Sequence, residues 1–437
     1  MDLNDHPLIG LRDRHLGTGG GIVAVCSAHP LVLRAAMGEM REREGSLLIE
    51  ATANQVNQTG GYTGMTPADF ATFVAQLAAA ARLPSERVVL GADHLGPHAW
   101  RRLSAEKAML SAMVLTRECV RAGFQKIHLD TATPCADDIG AELPTKIAAQ
   151  RAVGLCRVAE ETAAQLNAAP PLYVIGTEVP LPGGGLDDSS HVRITEPSEL
   201  LATIDQFAVE FRRAGLSEAW DRVLAVVVQP GIDFGDRRIA PYRTEAAQAL
   251  AAVHGRLPGS MTFEVHAGDY QTAPALAQMI RDHFAIVKIG PCLTFALREA
   301  LYALSQIEGL RPGLRYCSHL PNVMETLMLN RPEHWKRHYT GESDDLRFLR
   351  HFSFRDRIRY YWSEPEAMQA VNRLIQNLNR PIPQALLRQF LPDLYPAMHS
   401  GAIDADPRDI IRQRIRAILV PYLDAYAERG RQDQAPG

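Results

Sequence analysis

Cysteine is scarce in this chain: six residues in 437, at Cys26, Cys119, Cys135, Cys156, Cys292 and Cys317, and no two form a C-x-x-C pair. So few scattered thiols exclude a disulfide scaffold and point to reduced cysteines in a cytoplasmic protein. No apolar stretch approaches the roughly 18 residues of a membrane span. Met1–His6 carries neither the basic region nor the apolar core of a secretory leader. Net charge is nearly balanced at −4, which argues against a polybasic partner of nucleic acid or membrane. Internal repeats and low-complexity tracts are absent. What remains, 46% hydrophobic and 22% charged residues, is the composition of a soluble globular protein.

Nucleotide loops are missing too. No G-x-x-x-x-G-K-[S/T] occurs, and no G-x-G-x-x-G follows an early strand. The glycine run Gly17–Gly21 precedes the first strand and reads as a lead-in. Eight short β-branched runs recur instead, at 22–26, 47–51, 88–92, 126–130, 172–177, 223–228, 261–266 and 285–289. They are mostly continuous apolar runs, as expected of strands covered on both faces. Helical patterns lie between them, at about 30–43, 103–123, 143–166, 197–214, 242–254, 273–283 and 293–308. One more opens at Thr66-Pro67-Ala68-Asp69, with a cap, a first-turn proline and an acidic residue three positions after the cap. The alternation predicts an α/β (β/α)8 TIM barrel over residues 1–310, with an open doubly wound sheet as the alternative. Residues 311–437, rich in Arg, His, Tyr and Trp, are expected to form a C-terminal helical extension packed on the barrel, with helices near 365–379, 383–391 and 408–428.

Chemistry in such a barrel sits at the C-terminal ends of the strands. Those positions carry His29, Glu50, Asp93-His94, His128 and Asp130, Glu178, Gln229, Glu264-Val265-His266 with Asp269, and Lys288. His94 and His266, with Glu178 or Gln229, are candidate ligands of one divalent metal. Zn²⁺ suits imidazoles and a carboxylate; Mn²⁺ or Mg²⁺ would follow if oxygen donors dominate. Asp93 is a candidate proton shuttle, or else a helix cap; if the strand stays extended, its side chain and that of His94 diverge. Asp130 and Glu178 are candidate acid/base groups, or else ion-pair partners of loop arginines. Glu264, two residues before His266 on the same face, is placed to orient a ligand, or is a buried structural carboxylate. The amide-rich loop 54–64, with Asn54, Asn57 and Gln58, suits the hydroxyls of a sugar. Asp269 joins the candidate substrate contacts, and Gly268 and Gly290 offer backbone N–H groups to a phosphate. Arg355, Arg357 and Arg359 are a further anion site, or a solvated face.

Several long motifs carry a resemblance: residues 54–67, Gly91–Pro97, Ile127–Asp130, Gly176–Pro180, Phe263–Asp269 and Arg357–Trp362. Over roughly residues 10–425 the chain resembles the family of the non-catalytic subunit of class II D-tagatose-1,6-bisphosphate aldolase. Some members of that family carry the label tagatose-6-phosphate kinase, and some are D-tagatose-6-phosphate 4-epimerases. A distant similarity to metal-dependent class II aldolases implies Zn²⁺ ligands at His94 and His266 and proton transfer at Asp93. Those aldolases carry another histidine on strand 6, where this chain has Gln229. The resemblance implies a phosphorylated ketohexose as substrate and a class II aldolase catalytic subunit as a partner, and a homo-oligomer is expected. Three functions compete. The first is a metal-dependent 4-epimerase working by retro-aldol cleavage and re-addition. The second is a non-catalytic stabilising subunit. The third, a sugar-phosphate kinase, lacks a nucleotide loop. Direct deprotonation at C4 is chemically unattractive, because C4 is not α to the carbonyl. Hydride transfer lacks a nicotinamide fingerprint.

Overall fold

A computed structural model describes residues 6–16, 20–140, 142–176, 192–259, 261–311, 314 and 316–427. Part of the glycine lead-in, residues 17–19, and Glu178 lie outside the described residues. Eight parallel strands close a barrel: β1 (Ile22–Val25), β2 (Leu47–Thr52), β3 (Val88–Leu95), β4 (Lys126–Asp130), β5 (Leu172–Gly176), β6 (Val223–Val228), β7 (Thr262–Val265) and β8 (Phe284–Ile289). β1 pairs with both β2 and β8, which removes the open-sheet alternative. Every strand edge is paired, so all the ladder hydrogen bonds are internal.

Helices follow the strands where the periodicity places them, with ends shifted by a few residues at most. The helix Pro67–Ala81 shows why. The Thr66 side chain accepts from the Asp69 N–H and the Asp69 carboxylate accepts from the Thr66 N–H, while Phe70, Val74, Leu77 and Ala78 face the sheet. A cap of this kind contributes about 1 kcal/mol; burying Phe70 and Leu77 contributes roughly 2 kcal/mol each, so packing dominates.

The extension differs more from expectation. Helices Leu320–Asn330 and Ser343–Phe352 form in a stretch dense with prolines and aromatics. Pro321 sits in the first turn, where its missing N–H costs nothing. A two-residue antiparallel pair, Asp233–Phe234 with Ile239–Ala240, follows β6. The helix Pro407–Ala427 packs across helices Pro291–Leu310, Pro30–Arg41 and Ala273–Arg281. Its Tyr422 hydroxyl donates to the Gly268 carbonyl at 2.9 Å, and Tyr426 donates to Phe284 at 3.0 Å. No helix among the described residues is long and apolar enough to cross a membrane.

Two cores result. The larger lies between strands and helices. The smaller fills the lower barrel with Ala24, Leu48, Val89, Leu172, Val174, Ala225, Val227 and Ile286, and Leu8 and Leu11 close it from below. Above this apolar plug the inward side chains turn ionic. Glu50, Gly91 and Lys126 stand side by side in register on β2, β3 and β4. A Cβ on Gly91 would lie 2.8 Å from Glu50 Cγ, so the glycine is what lets Glu50 reach Lys126 across the middle strand.

Gly96, just past β3, passes so close to β4 that a Cβ would overlap the Asp130 carbonyl oxygen. Gly96→Ala is therefore expected to destabilise the chain by about 1–3 kcal/mol, the cost of overpacking. Urea unfolding with an unchanged m-value is the measurement; a wild-type midpoint would contradict the account.

Candidate functional site

Asp93 and His94 are neighbours, yet both face the barrel mouth. The cause is a bulge: between Ala92 and Leu95, β3 advances three residues while β4 advances two, from Ile127 to Leu129. His94 takes up the slack in the left-handed region, at φ 53°. A non-glycine residue there costs of order 1 kcal/mol, and such costs concentrate at sites. Simple alternation brings the other groups. Lys126, His128 and Asp130 share the inner face of β4, and Glu264 and His266 share that of β7.

Three imidazoles converge. Ring centroids are 4.8 Å apart for His94 and His266, 5.2 Å for His94 and His128, and 5.1 Å for His128 and His266. One donor atom from each, with one oxygen of Asp93, falls within 4.8 Å of the others. Nε2 of His266 lies 3.1 Å from Glu264 Oε1, and Nδ1 of His128 lies 3.0 Å from Asp93 Oδ1. His94 Nδ1 stands 3.3 Å from Asp93 and 3.6 Å from Asp130. Nδ1 of His94 and Nδ1 of His266 are buried and without a hydrogen-bond partner.

Beneath the rings, two ammonium groups bind the carboxylates together. Lys288 reaches Asp93, Glu264 at 2.8 Å and Glu50 at 3.4 Å; Lys126 reaches Glu50 and Glu264, the latter at 2.6 Å. Burial alone would raise the Asp93 carboxyl, but the His94 ring, the Lys288 ammonium and the His128 hydrogen bond hold it well below the usual range. Burial likewise opposes ionisation of Glu264, and Lys126 and Lys288 outweigh it. Asp130 is also lowered, against burial, by His94 and His128. Lys288 is held charged by Asp93, Glu264 and Glu50 despite its own burial. Burial and then Lys288 keep His266 neutral, with a pKa of about 3, and His128 is lowered by the same two causes.

Four carboxyl groups, Glu50, Asp93, Asp130 and Glu264, thus face two lysines, Lys126 and Lys288, a formal excess of two acidic groups. That excess, two unpartnered imidazole nitrogens and a His–carboxylate pair at Glu264 are the donor set and support expected of a divalent-metal site. His94, His128 and His266 are the residues that would hold the ion, with the Asp93 carboxylate beside it. The second cluster, Cys26 with Glu50 and Asp93, is different: the Lys288 ammonium already lies among its carboxylates, and burial followed by Glu50 and Asp93 keeps the thiol protonated.

The other sequence candidates divide. Asn54, Asp269 and Gly290 line the cavity above the rings. Asn57 is spent inside its own loop, donating to Ala53 and accepting from Thr59 and Gly61; Gln58 donates to the Ser111 carbonyl on the helix Ala105–Arg121. Gln229 also turns away, its amide oxygen accepting from Gly231 and Ile232 at 2.9 Å each. The third imidazole is His128 of β4, which sequence reasoning counted among polar strand ends without giving it a role. The glycine N–H groups are not free for phosphate. Gly268 donates to the Lys288 carbonyl, and Gly290 and Cys292 donate to the Asp269 carboxylate. Arg355, Arg357 and Arg359 lie at the cavity rather than on a solvated face.

Fold and site together define a (β/α)8-barrel protein with a histidine–carboxylate centre at the C-terminal mouth. The chain belongs to the D-tagatose-1,6-bisphosphate aldolase subunit GatZ/KbaZ-like family, whose model matches residues 10–427. It is 42% identical to the protein from Sinorhizobium meliloti 1021 described as a probable tagatose 6 phosphate kinase. That match covers 93% of this chain and all of the other, at a TM-score of 0.85. Distant likenesses include the fructuronate-tagaturonate epimerase UxaE of Cohnella laeviribosi, at 14% identity, 94% and 82% coverage and a TM-score of 0.45. Fructose-bisphosphate aldolase of Campylobacter jejuni is another, at 13% identity, 84% and 93% coverage and a TM-score of 0.43.

Two outcomes follow from the buried charges. Lys288→Met strands three carboxylates, and a loss of about 3–5 kcal/mol of stability is expected in urea titrations. The metal-stripped chain is expected to weaken as pH falls from about 6.5 toward 3, because the unfolded chain takes up a proton at His266 that the folded chain refuses. The depressed carboxyls of Asp93 and Glu264 act in the same direction below about pH 4. A flat unfolding midpoint between pH 7 and 4 would contradict the assignment.

Proposed function

We propose that this chain is a metal-dependent sugar-phosphate 4-epimerase interconverting D-tagatose 6-phosphate and D-fructose 6-phosphate. The observation that carries the reading is the convergence of three imidazoles and Asp93, with Asp130 alongside, above a buried cluster of carboxylates. A divalent cation, Zn²⁺ before Mn²⁺ or Mg²⁺, supplies Lewis acidity at a carbonyl oxygen there.

The chain's own groups account for the proton movements. Asp93, ionised by its neighbours, takes the proton from the C4 hydroxyl, or Asp130 takes it from the other side. The C3–C4 bond breaks, giving an aldehyde at C4 and an enediolate over C2 and C3. Rotation of the aldehyde and re-addition to its other face, with the proton returned to O4, inverts C4 and changes no oxidation state. Glu264 orients His266 through the 3.1 Å contact, and Lys288 keeps Asp93 ionised. Glu178 keeps its place as an acid/base or ligand candidate from the sequence.

The family description, an aldolase subunit, favours a second reading: a non-catalytic chain that stabilises a class II aldolase partner. Phosphoryl transfer ranks third, since the sequence has no nucleotide loop. ATP consumption on adding tagatose 6-phosphate would revive it.

The purified chain incubated with fructose 6-phosphate alone, followed by NMR, is expected to accumulate tagatose 6-phosphate and to stop on chelation. Asp93→Asn and His94→Ala are expected to lower kcat by about a hundredfold or more while remaining folded. Normal epimerisation by both folded variants sinks the mechanism. Conversion that needs an added aldolase chain favours the subunit reading.

A further inference from the structure

The roof of the cavity comes from the extension. Arg355, Arg357 and Arg359, with Arg101 from the turn after β3, line a space of about 360 Å³ above His94, His266 and Lys288. Their setting is rigid. Asp356 between them lies in the left-handed region, at φ 45°, and its buried carboxylate accepts from Thr294 at 2.6 Å beside Arg298. Ser353 donates to Asp236 at 2.8 Å. The loop is thereby tied to the helix after β8 and to the turn after β6.

Carbonyls and an aromatic ring, not carboxylates, orient two of these arginines. Arg357 donates through Nε to His334, and Arg359 donates through Nη1 to the carbonyls of Arg355 and Asp356. The guanidinium carbons of Arg357 and Arg359 lie 5.0 Å and 4.5 Å from the Tyr360 ring centroid. Arg355 is held by Asp236 at 3.6 Å and by the His338 carbonyl. Among the described residues no carboxylate is within ion-pair distance of Arg101, Arg357 or Arg359. Carbonyl partners fix direction without neutralising charge, so like charges are held together at the mouth. The crowding is felt at His338, where burial and then Arg357, Arg355, Arg359 and Arg101 lower the imidazole to about 4.

We propose that Arg357 and Arg359, with Arg101 at the rim, bind the phosphate monoester of the substrate, and that this crown selects a terminally phosphorylated ketose. The proposal rests on the ketose-phosphate reading and assigns its anion site. A phosphate dianion offers three peripheral oxygens and two charges to planar forks that do not lose their protons. A carboxylate neutralises half as much, and an unphosphorylated sugar nothing. The rival location is closed: Asp269 already fills the N–H cradle at Gly290 and Cys292. In the retro-aldol scheme the phosphate belongs to the aldehyde fragment, so the crown tethers the piece that must rotate without leaving.

The test uses chelator-stripped full-length protein, so that no metal competes for the anion. Inorganic phosphate, fructose 6-phosphate and fructose are titrated calorimetrically. Phosphate and fructose 6-phosphate are expected to bind, and fructose to bind at least about a hundredfold more weakly than its phosphate ester. Arg357→Ala and Arg101→Ala are expected to weaken both phosphate ligands by about tenfold or more, with Arg357→Lys intermediate. His94→Ala should bind inorganic phosphate as the parent does. Arg101 is exposed at the rim, so its variant stays informative if Arg357→Ala fails to fold. Parental phosphate affinity in folded Arg101→Ala and Arg357→Ala overturns the crown, as does fructose binding as tightly as fructose 6-phosphate. Arginine-dependent phosphate binding by a chain that does not epimerise keeps the crown and removes the epimerase; epimerisation with parental KM in both arginine variants does the reverse.

Discussion

The buried ammonium of Lys288 is the contact on which the rest of the site depends. It lies among Asp93, Glu50 and Glu264, near the top of the barrel interior and just below the three rings. Without cations beside them, Asp93 and Glu264 would not both ionise in so dry a place. Energetically the arrangement is close to neutral. Each buried ion costs several kcal/mol in lost hydration, while a pair at about 3 Å returns roughly 5 kcal/mol at an effective dielectric near 20. What the network contributes is position and protonation state: an ionised Asp93 aimed at His94 and His128, and a Glu264 that fixes the His266 ring.

The barrel supplies this centre by simple means. Alternation on β4 and β7 stacks an ionic layer below an imidazole layer, and an apolar plug seals the bottom. On β3 a bulge departs from alternation and delivers two consecutive reactive residues to one face. The extension contributes the opposite wall. Its helices pack on the barrel through Tyr422 and Tyr426, and its loop brings guanidinium groups over the mouth. Floor and roof carry opposite charge, negative around the rings and positive above them.

Much of this was readable in the residues. The eight strands follow from β-branched runs, and Asp93, His94, Glu264 and His266 follow from their positions at strand ends. His128 was within reach as well, since Lys126-Ile127-His128-Leu129-Asp130 alternates polar and apolar and so puts all three polar groups on one side. The resemblance to class II aldolases points to strand 6 for a third histidine instead. Gln229 fails there because its amide closes its own turn, a commitment that depends on backbone conformation and leaves no trace in composition. Asn57, Gln58 and Gly268 fail for the same reason: donors and acceptors that look available in a string are consumed locally once the loop folds. The arginines differ, because the sequence leaves them open between an anion site and a solvated face. Their period-two spacing reads as a solvated face, and only the tertiary packing of the extension reveals what lies beneath them.

The start of β1 and the last described helix meet in space, and that has a bearing on biosynthesis. Gly21, beside β1, donates its N–H to Tyr426 at 3.1 Å, while the arginine loop and the last helix emerge from the ribosome after all eight strands. A nascent polypeptide can therefore close its cylinder of strands well before it acquires a lid of positive charge or a brace across its seam. Translation thus sets an order of emergence in which the groups of the acidic pit come first and the arginine loop that covers them comes last.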